Sequence, residues 1–111
     1  MLATLLDFDF KNFASRESWA LAHSRDHDDI RLAIQAKGGP ILTAWQLSPV
    51  PWNKLDDWFL RHQTAHSDFD GALNLAGQDI SSVDFDNPED AHEWNLQHFS
   101  EHQAARAALG I

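Results

Sequence analysis

Apolar and imidazole-bearing positions recur along this chain at a spacing that lines up on one side of a helix. The pattern Trp-x-Leu-x-His-x-x-x-His occurs three times, as Trp19, Leu21, His23, His27, then Trp58, Leu60, His62, His66, then Trp94, Leu96, His98, His102. Counted from each Trp, position +11 is Ile30, Phe69 or Ala105, +14 is Ala33, Ala72 or Ala108, and +15 is Ile34, Leu73 or Leu109. At about 100° per residue these positions, the Trp and both histidines share one arc roughly 120° wide. Such an arc is the buried stripe of an amphipathic helix, with the histidines in its middle. Three copies of one unit, each of helix-plus-connector size, make an internal repeat.

Turn chemistry bounds the predicted helices. Asn87-Pro88-Glu89-Asp90 supplies an N-cap, a proline at the first helical position and acids against the positive end of the helix dipole. Gly110 stands where a left-handed cap belongs, and Ile111 can fold back on the last turn. The first helix starts near Asn12 or Ser15 and ends before Gly38-Gly39-Pro40; the second runs from Asn53 to near Gly77. Each helix follows a short alternating segment. Phe8-Asp9-Phe10-Lys11-Asn12 parallels Val83-Asp84-Phe85-Asp86-Asn87, and Leu47-Ser48-Pro49-Val50-Pro51-Trp52-Asn53 keeps the apolar spacing in a proline-stiffened form. The expected fold is all-α: a single small domain, 1–111, of three pseudo-repeated helices, each preceded by a short extended lead-in. Its parts are an N-terminal arm, 1–7, and repeat units at about 8–39, 47–77 and 83–111. Gly71 is a weak spot within the second helix, costing about 1 kcal/mol relative to alanine.

Leu21, Leu60 and Leu96, at position +2, point about 160° away from the buried stripe. Three in register predict a second contact, either with a partner or with the chain's own connectors. Phe59, Phe99 and the arm residues Leu2, Leu5 and Leu6 widen this candidate interface.

Composition narrows the function. Seventeen acids against eight bases give a net charge of −9, and Arg16, Arg25, Arg31, Arg61 and Arg106 form no cluster. Direct binding to nucleic acid or to anionic membranes is disfavoured. There are no cysteines, hence no disulfide or thiol chemistry. Met1–Asp7 lacks the basic start of a signal peptide, and no apolar stretch is long enough to span a bilayer. Synthesis and folding in a cytoplasm are expected.

Two readings of the histidines stand side by side. Residues i and i+4 share a helix face, so His23, His27, His62, His66, His98 and His102 form three pairs able to hold zinc or another divalent metal. The residues favour the other reading, with no cofactor: Trp19, Trp58, Trp94 and the six histidines as a structural core. There each Trp stacks on the His four residues on, and each imidazole ties its helix to a neighbouring lead-in. His-x-x-Glu-His at His98–His102 matches an inverted zinc-protease pattern, but Ala65 interrupts it in the middle unit and no third ligand follows. Asp26-His27-Asp28-Asp29 and Asp84-x-Asp86 read as solvated acids, and His92 as a surface residue. With no nucleophile elbow, phosphate loop or dinucleotide turn, no enzymatic activity is expected.

The tripled motif, the segment Asp79-Ile80-Ser81-Ser82-Val83-Asp84-Phe85 between copies, and the ending Ala-Leu-Gly-Ile resemble a family of small proteins encoded by tailed bacteriophages. The resemblance covers residues from about Phe8 to Ile111. It implies a virion structural protein of the head–tail junction, tail or minor capsid, made in the bacterial host's cytoplasm. The implied partners are larger virion proteins (portal, adaptor, tail or capsid) or further copies in a symmetric ring. The alternatives are a small metal-binding helical protein and an acidic binder that blocks a host protein.

Overall fold

The computed structural model describes residues 12–77, 80 and 82–111. Within them the chain forms three helices, α1 (Phe13–Ala36), α2 (Asp56–Leu73) and α3 (Pro88–Leu109), and no strand. Leu2, Leu5, Leu6 and the first lead-in at 8–11 lie outside the described residues.

The caps explain where each helix begins and ends. The Asn12 side chain accepts from the Ser15 amide at 3.2 Å, and the Asn87 side chain accepts from the Asp90 amide at the same distance. Pro88 opens α3, and Gly110 closes it at φ 69° in the left-handed region. The Ile111 amide reaches back to the Arg106 carbonyl at 3.1 Å, satisfying a carbonyl that the helix leaves open. α2 is shorter than its sequence signals imply. Asn53 sits in a turn closed by the Lys54 amide on the Pro51 carbonyl (2.8 Å), so the helix starts only at Asp56. Its stop is Asn74, at φ 57°, not Gly77. Asparagine tolerates the left-handed cap because its short polar side chain bonds locally.

Trp19, Trp58 and Trp94 meet one another, with ring centroids 6.5 Å (Trp19–Trp58) and 6.2 Å (Trp19–Trp94) apart. Beyond the histidines, Ile30, Ile34, Phe69, Ala105 and Leu109 form a second apolar cluster. Equivalent residues therefore lie at the same level, and the helices run parallel. Parallel helices need long returns. The connector 74–87 reaches up to about 45 Å when extended, ample to travel back along a helix of about 30 Å. The returns are anchored by the tryptophans. Trp58 Nε1–H donates to the Leu47 carbonyl and Trp94 Nε1–H to the Ile80 carbonyl, both at 3.1 Å. Leu47, Val50, Ile80 and Phe85 of the connectors are buried in the Trp-level cluster.

Phe59 belongs to that cluster as well. It was expected at an interface, but it is buried and stacks on Phe85 with centroids 5.7 Å apart. At position +1 it sits on the shoulder of the buried stripe, where the returning connector covers it. Phe99 is half-buried against the same cluster. Leu21, Leu60 and Leu96 are 48%, 62% and 45% exposed, so the chain's own connectors do not cover them. Lying opposite the bundle axis on three parallel helices, they face outward in three directions.

Candidate metal centre

The repeat sets the layers of the core. Rising about 1.5 Å per residue, each helix places Trp, then the first His, then the second His, at steps of about 6 Å along the axis. Side chains lean toward the N-terminus of their helix, which lays each first imidazole flat on its own Trp. Centroid distances are 4.5 Å for Trp19–His23, 4.7 Å for Trp58–His62 and 4.7 Å for Trp94–His98, with interplanar angles of 9°, 9° and 15°. These stacks fix the ring planes. The second histidines meet the first edge-on, as in His23–His27 at 4.4 Å and 76°.

All six imidazoles turn their ligand nitrogens toward one point. His23, His62 and His98 form a triangle of Nε2 atoms with sides of 3.1, 3.0 and 2.9 Å. His27 Nε2 lies 3.0 Å from His23 Nε2, and His102 Nε2 lies 2.9 Å from His98 Nε2. One ligand nitrogen from each of the six, His66 included, falls in a group no more than 4.8 Å across. One triad, His23, His62 and His98, faces a second, His27, His66 and His102.

Hydrogen bonding does not account for this convergence. A neutral imidazole carries one N–H and one in-plane lone pair. A triangle of three Nε2 atoms therefore holds at most one well-formed hydrogen bond. At least one other side sets lone pair against lone pair or proton against proton, and the third shares a proton or lone pair already in use. The expected ties from imidazoles to the lead-ins are not made at these positions: the tryptophans make them. The Nδ1 atoms of His23, His62 and His98 are buried without a hydrogen-bond partner among the described residues.

The nitrogen spacing fits a coordination sphere. With metal–nitrogen bonds of about 2.1 Å, adjacent octahedral donors stand √2 times that apart, about 3.0 Å, and opposite donors about 4.2 Å. Tetrahedral donors would be about 3.4 Å apart. The observed sides of 2.9–3.1 Å match the octahedral edge.

Outside the ring of nitrogens, the repeat builds three junctions between neighbouring helices, one for each histidine of the second triad. Position +7 of one helix faces +8 and +12 of the next. Between α1 and α3, Asp26 accepts from His102 Nδ1–H and from Arg106 Nη1–H, each at 2.6 Å. Between α3 and α2, Glu101 Oε2 lies 3.1 Å from His66 Nδ1. Asp70 borders the same space: a Cβ added at Gly77 would stand 2.9 Å from Asp70 Oδ2 and 3.4 Å from Glu101 Oε1. Between α2 and α1 the corresponding residues are Ala65, His27 and Arg31. No carboxylate is present at +7 there, and a cavity of about 20 Å³ is lined by His27, Ala65, Arg31, Trp45, Asp68 and Phe69; the α2–α3 junction has a pocket of about 210 Å³, walled by His66, Asp70, Gly77 and Glu101.

Burial, reinforced by the other imidazoles, holds His23, His27, His62, His66 and His98 well below the ordinary 6.5. They are neutral at pH 7, the state a metal needs. Burial pushes the Asp26 carboxyl up, but its bonds and charge contacts with His102 and Arg106 outweigh this and hold it below the usual carboxylate value. Asp26, Glu101 and Asp70 are all buried. With Arg106 they leave a formal excess of two negative charges beside the nitrogens, matching a divalent cation.

The structure thus brings all six motif histidines and the three tryptophans together. His92 is exposed. Asp26, expected in solvent, is fully buried, as is Glu101 nearly so. Their signal was available: +7 lies about 20° from the Trp, inside the buried arc, so an acid there needs a buried partner. Arg106 carries no such mark, since +12 lies about 40° outside the arc. No helix among the described residues is long and apolar enough to cross a membrane. No protein-family model, curated protein or solved structure matches this chain.

Proposed function

We propose that the chain is a metal-binding helical protein in which His23, His27, His62, His66, His98 and His102 hold one divalent ion at the bundle centre. The observation that carries this is the convergence of six imidazole nitrogens within 4.8 Å of one another, five of them linked at octahedral edge distances, with a triangle that hydrogen bonds cannot satisfy. Six neutral nitrogen donors suit iron(II), cobalt(II) or nickel(II), whereas structural zinc sites are almost always four-coordinate. The ion supplies a positive centre that all six lone pairs share, joining three helices whose connections are long. Asp26 and Glu101 stand behind two histidines of the second triad, His102 and His66, and would strengthen them as donors, as carboxylates behind metal-bound histidines do.

The test is elemental analysis of protein purified without a histidine tag. One ion per chain is expected, together with a melting point that falls on chelation and returns on adding one equivalent of metal. Protein that takes up none of the three ions and melts unchanged with chelator refutes the centre. His62→Ala and His98→Ala should each lower affinity without a similar change from His92→Ala.

A second reading concerns where such a module works. The exposed leucines of the three units favour an assembly subunit, with virion proteins as the docking partners implied by the phage-family resemblance. Facing three ways, they fit a collar that surrounds the bundle better than a flat face. Mass spectrometry of purified particles, with stoichiometry, tests this; absence of the chain from them refutes it.

A further inference from the structure

We infer that the centre has one exchangeable ligand, His27, and that the space beside Ala65 lets a small exogenous donor reach the ion. The inference rests on the metal centre proposed above and adds a chemistry to it: the ion is not sealed. Two of the second triad's histidines face a carboxylate, His102 on Asp26 and His66 on Glu101. The repeat puts Ala65 where the third carboxylate would stand, and the cavity lies there. His27 is also the most exposed of the six, at 9% against 2% or less for the others.

The bond to Asp26 keeps His102 from turning, and the Glu101 carboxylate stands 3.1 Å from the outer nitrogen of His66. His27 has no carboxylate at the +7 position behind it and has free volume beside it; the larger pocket beside His66, about 210 Å³, is walled by the Asp70 and Glu101 carboxylates, which repel an anionic donor. About 20 Å³ is enough for one water molecule, and a linear donor of three atoms fits with the volume that His27 gives up on turning aside. The outer wall of the cavity carries Arg31, bonded to Asp28 at 3.3 Å, and Asp68, which accepts from Trp45 Nε1–H at 3.0 Å. These polar groups wet the mouth, while Ala65, Leu47 and Phe69 line the inner part. In the exchange one His27–metal bond is given up, and the incoming donor's lone pair forms the replacement. No electron moves, and the imidazole stays neutral.

The experiment uses the full chain loaded with one equivalent of cobalt(II), titrated with azide and read by visible absorption. Cobalt retention is checked by gel filtration. A saturable spectral change is expected in the wild type. Ala65→Glu, which supplies the missing carboxylate and fills the cavity, should weaken azide binding about tenfold or more. Ala65→Val fills the space without a charge and serves if the glutamate variant does not fold. It too should weaken azide. His27→Ala should keep cobalt on five histidines and bind azide more tightly. A wild-type protein that holds cobalt but shows no change with azide overturns exchange at His27 and leaves the centre standing. Equal azide affinity in the wild type and the Ala65 variants overturns the route. Failure to take up cobalt at all overturns the centre itself, and this inference with it.

Discussion

Acid should unfold the metal-free protein within a narrow and calculable window. Five cluster histidines are held well below 6.5 by burial and by each other, whereas in the unfolded chain each titrates near 6.5. Above that value neither state is protonated and folding gains or loses nothing from them. As pH falls below it, the unfolded chain takes up protons that the folded core refuses, so stability drops with every step toward the depressed folded values. Between pH 7.5 and 5.5 each such group costs about 1.4 kcal/mol. Five together cost about 7 kcal/mol, comparable to the whole stability of a typical small domain, about 5–15 kcal/mol. Asp26 does not act in this window: its carboxyl is depressed, so its contribution is lost only at lower pH, as it is protonated.

The assay is thermal melting followed by circular dichroism after exhaustive chelation, at half-unit steps from pH 8.0 to 5.0. The midpoint should be flat above about pH 7 and fall steeply below 6.5, with largely unfolded protein near pH 5.5. A midpoint unchanged between pH 7.5 and 5.5 in metal-free protein would mean that the imidazoles take up protons while folded. The core would then not be a cluster of neutral imidazoles.

Other substitutions probe single features. Asp26→Asn removes the charge that holds His102 and Arg106; it should lower metal affinity about 10–100-fold by competition titration with a chromophoric chelator. Gly71→Ala meets nothing within 4 Å and should raise stability by about 0.5–1 kcal/mol in urea melts. Gly77→Ala should destabilise, because its Cβ would stand 2.9 Å from Asp70 Oδ2; an unchanged melt would show that the connector can move away. Replacing Leu21, Leu60 and Leu96 together with serine should leave the monomer's melting point within a few degrees, because all three are exposed.

The helices and their burial were readable because a 3.6-residue period is strict and the repeat displays it three times. α1 and α3 begin at the asparagines that mark them. α2 was overextended because Asn53 and Gly77 offered cap chemistry that tertiary packing does not use, while Asn74 took the left-handed role. Which partner each histidine meets was not readable. Periodicity places an imidazole on the inner face, but only the parallel arrangement of three such faces decides whether it finds a backbone carbonyl or five other imidazoles. That arrangement depends on the returning connectors, whose sequence shows apolar alternation and not direction. The acids at Asp26 and Glu101 are visible by their angle, but Asp26 reads as one of the solvated aspartates with Asp28 and Asp29, and Glu101 only as part of a zinc-protease pattern that the other units do not complete.

Joining three similar units in one polypeptide has a consequence that a threefold-symmetric trimer would not have. In such a trimer every subunit boundary repeats the same residues, so a change at one is a change at all. Here the boundaries carry Asp26 with Arg106, Glu101 with Asp70, and Ala65 with Arg31. A single gene can thus place a carboxylate behind the histidine cluster at two boundaries and none at the third, a lopsidedness that covalent linkage alone makes available.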